Sequence, residues 1–213
     1  MNIERLLDSR RQVKVFDDIN IPDKSLIRNL LNTTHRLVPS KQNLLPYKVH
    51  VLGPECKKEK QGLYDLTKII SLSYDPKDTH NTQSLAPYVL IFTHRLAKPN
   101  PAVQRRIDRG QKVRVCDPKE YKKGNFSQLS LIEAGMFASI LTALCLEKEI
   151  DVSYMKCFPH WPGGQHYWKE LPFVDETPFL TMGLGYRKHK QQPRHQGIVG
   201  EDRPEVNEVI NWI

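Results

Sequence analysis

The spacing of apolar side chains along the chain predicts a mixture of helices and strands. Between Pro22 and Pro39, leucine and isoleucine recur at near-helical intervals, which predicts a helix with one buried face. Residues Tyr47–Leu52 alternate apolar and polar side chains, the period of a half-buried strand. The unbroken apolar run Tyr88–His94 predicts a central strand that is covered on both faces.

The remaining pattern adds a short helix at the N-terminus, a mixed helix over about 55–72, and two further strands at 152–158 and 179–186. The helices outnumber the strands and do not alternate with them in regular βαβ units. We therefore predict an α+β fold in a single domain that spans residues 1–213.

The most apolar helix is predicted to begin at a capping box, Ser130-x-x-Glu133, and to end near Lys148. It has almost no polar face, so we expect it to be buried all round, inside the core or against another subunit. A domain of this size has little room to bury such a helix alone, which favours a dimer. Small residues that permit close helix approach lie along it: Gly135, Ala138, Ser139 and Ala143.

Composition narrows the class of protein. A chain that is 39% hydrophobic and 26% charged is too apolar to be disordered. The apolar stretch 134–146 is shorter than the roughly 20 residues that cross a bilayer, and the first residues mix acids with bases, unlike a secretory signal. We therefore expect a cytoplasmic protein without a membrane segment. The cysteines and histidines lack the spacing of zinc ligands, so no metal site is expected.

The net charge of +8 is concentrated in two segments. Residues 98–124 contain nine basic and three acidic side chains, and residues 187–200 contain four basic and no acidic ones. Such segments are candidate anion-binding surfaces. A nucleic-acid-binding protein is an alternative for a basic chain. Aromatic residues make up only 8%, however, and they are not interleaved with the basic ones as a stacking surface requires.

Two polar motifs stand near the N-terminus. In Arg10-Arg11-Gln12-Val13-Lys14, an extended backbone projects Arg10, Gln12 and Lys14 to one side. Guanidinium, amide and ammonium groups together suit a phosphate or an electron-rich ring edge. The second motif is the polar turn 39–43, Pro-Ser-Lys-Gln-Asn, whose hydroxyl and amide groups could bind a ligand.

With these motifs the chain resembles the FMN-dependent nitroreductase family. That family opens with R-x-S-x-[RK]-x-[FY] and follows with P-S-x-x-N-x-x-P-[WY], an A-P pair before a strand, a very apolar dimer helix and a G-[YF] ending. The matching residues in this chain are Arg10, Lys14 and Phe16, then Pro39, Ser40, Asn43, Pro46 and Tyr47, then Ala86-Pro87 and Leu184-Gly185-Tyr186. Gln12 replaces the usual serine of the first motif.

The resemblance implies an α+β sandwich with a central, mainly antiparallel sheet that forms an intertwined homodimer and binds FMN in clefts at its interface. It implies that Arg10, Arg11 and Arg203 of the C-terminal arm, 187–213, hold the FMN phosphate, with Gln12 beside them and Lys14 at the N1/O2 edge of the flavin ring. By the same resemblance Pro39, Ser40, Lys41 and Asn43 come from the other subunit, Asn81 or Gln83 meets the pyrimidine edge, and Lys156 and Cys157 lie near flavin N5.

The implied function is an NAD(P)H-dependent oxidoreductase that passes a hydride through the flavin to an electron-poor acceptor such as a nitroaromatic or a quinone. The basic segment 98–124 would cover the substrate and attract an anionic acceptor or the extra phosphate of NADPH. Because Tyr154 and Lys156 depart from the residues common in the family, a specialised flavin chemistry such as reductive dehalogenation stays an alternative.

Overall fold

The computed structural model describes residues 2–72, 81–124, 128–155, 178–188 and 209–210, with the side chains of 68–72 excepted. The helices in these ranges are α1 Ile3–Asp8, α2 Lys24–Leu37, α3 Lys57–Leu72, α4 Pro101–Asp108, α5 Pro118–Lys122 and α6 Gln128–Glu147. The strands are β1 Tyr47–Leu52, β2 Tyr88–His94, β3 Asp151–Met155 and β4 Pro178–Gly185. Short 3-10 turns lie at Lys41–Asn43, Thr82–Leu85 and Arg114–Cys116.

The described strands form one sheet in the order β1-β2-β4-β3, and every pairing in it is antiparallel. β2 lies between β1 and β4, and all seven of its residues are buried, as the unbroken apolar run predicts. Both β1 and β2 begin and end at the residues that the hydrophobic pattern gives. The α+β class and the antiparallel sheet are therefore confirmed.

Helices cover the sheet on both faces, so the domain has two cores. Tyr88, Leu90 and Phe92 of β2 pack with α2 and α6 in the larger core. Val89 and Ile91 point to the opposite face, where they pack with α3 and with residues of the N-terminal segment. This segment, 10–16, follows α1 and is fixed to the sheet by the burial of Val13 and Phe16.

The predicted capping box is wrong. Helix α6 begins at Gln128, two residues before Ser130, so Ser130 lies inside the helix. Ser130 Oγ is 2.6 Å from Nδ1 of the buried His94 at the end of β2. Glu133 Oε1 accepts a hydrogen bond of 2.8 Å from the backbone N–H of Lys41. Both side chains thus have partners from distant parts of the chain, which a local sequence motif cannot reveal.

The single chain buries only one face of α6, so burial of the other face against a second subunit stays a prediction. One face packs in the core, whereas Leu131, Ile132 and Met136 on the other are 46%, 54% and 41% exposed. Among the described helices α6 is long and apolar enough to cross a membrane by length and composition alone, a criterion that buried core helices also meet, and half of its most apolar stretch is buried within the protein. The apolar stretch 134–146, on which the sequence analysis relied, is therefore shorter than the apolar part of this helix.

Burial of His94 makes the stability of the fold depend on pH. Burial lowers the pKa of His94 to about 4, so the folded imidazole stays neutral, whereas the unfolded chain takes up a proton near the ordinary value of 6.5. Lowering the pH from 7 to 4 should reduce the free energy of unfolding by about 2–3 kcal/mol more in the wild-type protein than in His94→Gln. Urea titrations at four pH values measure this difference.

The matched control is His35→Gln, the same change on an exposed part of α2. This control should keep the wild-type pH profile. Parallel profiles for the wild-type protein and His94→Gln would show that His94 does not carry the pH dependence.

Candidate functional site

Three of the predicted site segments meet at one place in the structure: residues 10–14, residues 81–83 and the end of β3. Gln12 Nε2 donates to the Tyr154 carbonyl at 2.6 Å, and Tyr154 N–H donates to Gln12 Oε1 at 3.1 Å. Thr82 Oγ1 donates to the Lys14 carbonyl at 2.8 Å. Hydrogen bonds between residues far apart in sequence therefore assemble the site.

Gln12 contacts the protein itself through both ends of its carboxamide. The two bonds to Tyr154 form a ring like that between adjacent strands, and they join the N-terminal segment to the edge strand β3. A serine, the usual residue of the motif, is too short to span this distance with both a donor and a sp² acceptor. Gln12 therefore positions its neighbours Val13 and Lys14 relative to the end of β3.

The two arginines of the first motif differ in their contacts. The Arg11 guanidinium donates to the Asp8 carbonyl at 2.8 Å and to the Arg10 carbonyl at 3.0 Å, which closes the end of α1. The Arg10 guanidinium makes no hydrogen bond within the described part of the chain. Its charge favours the ionised form of Tyr154, although burial is the larger effect and raises the pKa of that phenol. Arg10 is thus the better placed of the two to bind an anion.

Several buried polar atoms in or near these segments have no hydrogen-bond partner among the described residues. Gln83 Nε2 donates to Asn81 Oδ1 at 3.3 Å, whereas Gln83 Oε1 has no hydrogen-bond partner among the described residues. Ser153 Oγ on β3 and Thr181 Oγ1 on β4 are in the same condition. Because buried polar groups in native proteins are nearly always paired, a ligand is one explanation for such a group.

Gly183 allows the 3-10 turn at Thr82–Leu85 to pack against the sheet. A Cβ atom at this position would lie 2.7 Å from Ser153 Oγ and 2.8 Å from the Gln83 carbonyl oxygen, closer than real Cβ contacts. The absence of a side chain at Gly183 therefore brings Gln83 onto β4. Sequence reasoning missed Ser153, Thr181 and Gly183, although polar residues and a glycine within apolar strands are a visible signal.

Buried Lys60 of α3 holds the end of the same segment. Its ammonium donates to the Ala86 carbonyl at 3.0 Å and to the Pro87 carbonyl at 3.1 Å. Burial lowers the pKa of Lys60, the effect expected for an ammonium group removed from water. This lysine was not predicted, because its position on an amphipathic helix resembles that of an ordinary surface residue.

The turn 39–43 is anchored elsewhere, at the other end of α6. Glu133 binds the turn through the backbone N–H of Lys41. Tyr154 packs against α6 further along, where its hydroxyl bonds to the Thr142 hydroxyl and to the Ala138 carbonyl. Glu133 and Thr142 are nine residues apart, which corresponds to about 13 Å along a helix axis. Within one chain, the contact that holds the turn to α6 is therefore far from the contact that holds the end of β3 to α6.

The backbone at the end of the turn and just after it adopts a conformation that ordinary residues disfavour. Gln42, Asn43 and Leu45 have φ values of 62°, 52° and 44°, and such left-handed backbone costs roughly 1 kcal/mol or more for each residue with a side chain. The strain must be offset by contacts that hold the loop in place.

Arg95 supplies most of these contacts. Its Nη2 donates to the Leu44 carbonyl at 2.6 Å and to the Leu45 carbonyl at 2.8 Å, and its Nε donates to the latter at 3.1 Å. Asn100 Nδ2 donates to the Gln42 carbonyl at 2.6 Å. Neither residue was predicted, since each lies 50 or more positions from its partners in sequence.

The other predicted residues have the following positions. Pro39 and Asn43 are exposed, and Ser40 is half-buried, with its Oγ accepting from the Leu45 N–H at 3.0 Å. Lys156, Cys157 and Arg203 lie outside the described residues.

Removal of the Arg95 side chain should destabilise the loop and, with it, the domain. A hydrogen bond to a charged group contributes about 1.5–3 kcal/mol, and Arg95→Met removes three such bonds that share two acceptors. We expect the free energy of unfolding to fall by about 2–4 kcal/mol in urea titrations. Arg105→Met, at an exposed position on α4, is the control and should change it by less than about 0.5 kcal/mol. Equal effects of the two variants would contradict this assignment.

Comparison with known proteins finds no family model and no curated sequence that match the chain. Solved structures match it over its full length. The FMN and NADPH-dependent nitroreductase NfnB of Sphigopyxis sp. strain HMH aligns at 15% identity over 100% of this chain and 99% of its own, with a TM-score of 0.61. A nitroreductase family protein of Streptococcus pneumoniae TIGR4 aligns at 20% identity over 100% of both chains, with a TM-score of 0.61.

A third solved structure is that of a nitroreductase with bound FMN from Desulfitobacterium hafniense DCB-2. It aligns at 14% identity over 100% of this chain and 99% of its own, with a TM-score of 0.63. At these levels of identity the likeness concerns the path of the backbone, and it agrees with the two-faced antiparallel sheet and the assembled N-terminal segment described above. The chain therefore has the nitroreductase fold.

Proposed function

We propose that this protein is an FMN-dependent oxidoreductase that takes a hydride from NAD(P)H and passes it to an electron-poor acceptor, a nitroaromatic or a quinone. The observation that carries the proposal is that the Gln12–Tyr154 and Thr82–Lys14 hydrogen bonds bring together the segments that contain Arg10, Lys14 and Gln83. The nitroreductase fold supports it, since NfnB is FMN- and NADPH-dependent and the D. hafniense protein contains FMN.

The residues of this site suit the chemical groups of FMN. The Arg10 guanidinium is available for the phosphate, and arginine binds phosphate through two parallel donors. The unpartnered Gln83 Oε1 is an acceptor of the kind that the flavin N3–H requires. When bound, FMN would supply hydride transfer at its N5 atom. Lys14 would place a positive charge near N1/O2, where the reduced ring is negative, and would thereby stabilise the reduced form.

The binding of FMN is tested directly on the purified full-length protein. The visible absorption spectrum, followed by release of the chromophore on denaturation and its identification as FMN, measures the cofactor. Addition of NADH or NADPH without oxygen should bleach the flavin bands, and a nitroaromatic or a quinone should restore them. A protein that takes up no added FMN would overturn the proposed function.

The charge of Lys14 should determine the redox potential of the bound flavin. Lys14→Met is expected to lower the two-electron midpoint potential by about 20–40 mV, because roughly 1–2 kcal/mol of stabilisation of the reduced flavin is lost. Spectroelectrochemical titration measures the potential, and fluorescence titration measures FMN affinity separately. Lys57→Met, at an exposed position on α3, is the control and should leave the potential unchanged. An unaltered potential in Lys14→Met with FMN fully bound would exclude this role.

We further propose that two copies of the chain form the complete site. The turn 39–43 is anchored near Glu133, and the three-segment site is anchored near Thr142, about 13 Å away along α6. In a twofold arrangement with the two α6 helices antiparallel, the Glu133 end of one helix lies beside the Thr142 end of the other. The turn of one chain would then reach the site of its partner.

The exposed face of α6 has the chemistry of such an interface. Leu131, Ile132 and Met136 form an apolar stripe on it. A Cβ atom added at Gly135 would meet nothing within 4 Å, so a second helix can approach closely at this point. Contiguous apolar surface of this kind on a helix usually marks a protein–protein contact.

A charge on this face should therefore separate the subunits and weaken cofactor binding. Ile132 is 54% exposed in the single chain, so the fold should tolerate Ile132→Glu. A dimer, in contrast, would bury the new carboxylate at a cost of several kcal/mol. Light scattering should give the dimer mass for the wild-type protein and the monomer mass for Ile132→Glu, with FMN affinity reduced at least tenfold. Ile19→Glu, 90% exposed and away from α6, is the control. A monomeric wild-type protein that binds FMN would exclude the shared site.

A further inference from the structure

We infer that a cavity between the 39–45 loop and the basic segment 98–124 binds the anionic group, a phosphate or a carboxylate, of a small molecule. The cavity has a volume of about 500 Å³, within the range of ligand sites. Four basic side chains line it: Lys41 of the loop, Arg106 of α4, and Lys112 and Arg114 from the connection to α5. The fold brings these four side chains together, although Lys41 and Arg106 are 65 residues apart in sequence.

The two acidic side chains in the cavity wall offset only half of these four charges, and each has a contact of its own in or next to α5. Asp117 caps α5 by accepting from the Lys119 N–H at 2.8 Å. Glu120 lies 3.8 Å from the Lys123 ammonium on the same helix. In the described part of the chain, Lys41, Lys112 and Arg114 form no ion pair with either carboxylate. The wall therefore carries an excess of positive charge, which attracts an anion.

The geometry of the cavity is held by the fold around it. Leu44 packs with Val103 and Val113 in a small apolar cluster under the basic groups. The Ala97 N–H donates to the Val115 carbonyl at 2.8 Å, and the Asn100 amide binds the loop at the Gln42 carbonyl. The basic segment is thus joined to the loop. Two guanidinium forks and two ammonium groups on such a support match the oxygens of phosphate or carboxylate.

Neighbouring basic residues provide a contrast. Arg105 and Arg109 are close to Arg106 in sequence but do not line the cavity. The cavity is therefore lined by the basic residue on one face of α4 and not by every basic residue nearby. A second cavity lies beside Lys148 and Arg187, but there Arg187 makes a bidentate ion pair with Asp151 that uses its charge within the protein. The excess of unpaired positive charge is a property of the first cavity.

The identity of the anion rests on the proposed function. Lys41 belongs both to the cavity wall and to the turn that is proposed to reach the flavin of the partner. An anion held in the cavity would therefore belong to a molecule that exchanges hydride with the flavin. It would be either the extra phosphate of NADPH or a carboxylate of the acceptor.

Isothermal titration calorimetry on the full-length protein tests the cavity and distinguishes these two sources. One pair of probes is adenosine 2′,5′-bisphosphate and adenosine 5′-monophosphate, which differ by the extra phosphate. The other pair is 4-nitrobenzoate and 4-nitrobenzamide, which differ by the carboxylate charge. Lys112→Gln/Arg114→Gln removes two of the cavity charges, and Arg105→Gln/Arg109→Gln removes the same number from exposed sites outside the cavity.

We expect at least one anionic probe to bind about tenfold or more tightly than its less charged partner. Lys112→Gln/Arg114→Gln should abolish this preference, and Arg105→Gln/Arg109→Gln should change it less than twofold. Preference for the bisphosphate assigns the cavity to the reductant, and preference for nitrobenzoate assigns it to the acceptor. The inference is overturned if neither pair shows a preference, or if both double variants lose it equally.

Uptake of FMN is measured on the same samples by absorbance, which separates the two hypotheses. Charge-dependent binding without FMN uptake would support the cavity and overturn the proposed function. FMN uptake without charge-dependent binding would support the proposed function and overturn the assignment of the cavity. Circular dichroism confirms that both double variants are folded, as expected for substitutions at exposed positions.

Discussion

Helix α6 is the element on which the rest of the domain depends. Its buried face is mainly apolar but includes three polar side chains, and its outer face carries apolar ones. Its buried side chains include Ser130, Glu133 and Thr142, whereas large apolar residues such as Ile132 and Met136 face outward. Burial of a carboxylate is costly unless hydrogen bonds replace the lost water. Glu133 recovers one bond from the Lys41 N–H, and its second oxygen has no partner among the described residues. Such an arrangement persists because it fixes a loop, not because it maximises stability.

The local elements could be predicted from the sequence because a single physical cause dictates each of them. β1 follows from its alternating apolar and polar residues, because a strand buried on one face carries that pattern. β2 follows from its unbroken apolar run, because a strand buried on both faces carries that one. α2 follows from its apolar spacing and from Asp23, which accepts from the Ser25 N–H. The α6 capping box failed because its two residues have stronger partners in the tertiary structure, His94 and Lys41.

The candidate site could be predicted only in part for the same reason. The resemblance to the nitroreductase family predicted Arg10, Lys14 and either Asn81 or Gln83 as site residues, and the structure brings their segments together. The contacts that join these segments were not visible in the sequence. Gln12 and Tyr154 are 142 positions apart, and Arg95 acts on carbonyl oxygens of a loop 50 positions away. Side-chain bonds to a distant backbone leave no periodicity and no motif, so only coordinates reveal them.

The 39–45 loop links the proposed cofactor site to the anion cavity. Its left-handed residues hold the backbone in a shape that needs Arg95, Asn100 and Glu133 together. Glu133 acts from α6, whereas Asn100 acts from the start of α4, the helix that also carries Arg106 to the cavity. The Asn100–Gln42 bond therefore joins the loop to the helix that carries Arg106. Lys41 donates its backbone N–H to Glu133 and also lines the anion cavity, so the same residue would connect substrate charge to the geometry at the flavin of the partner chain.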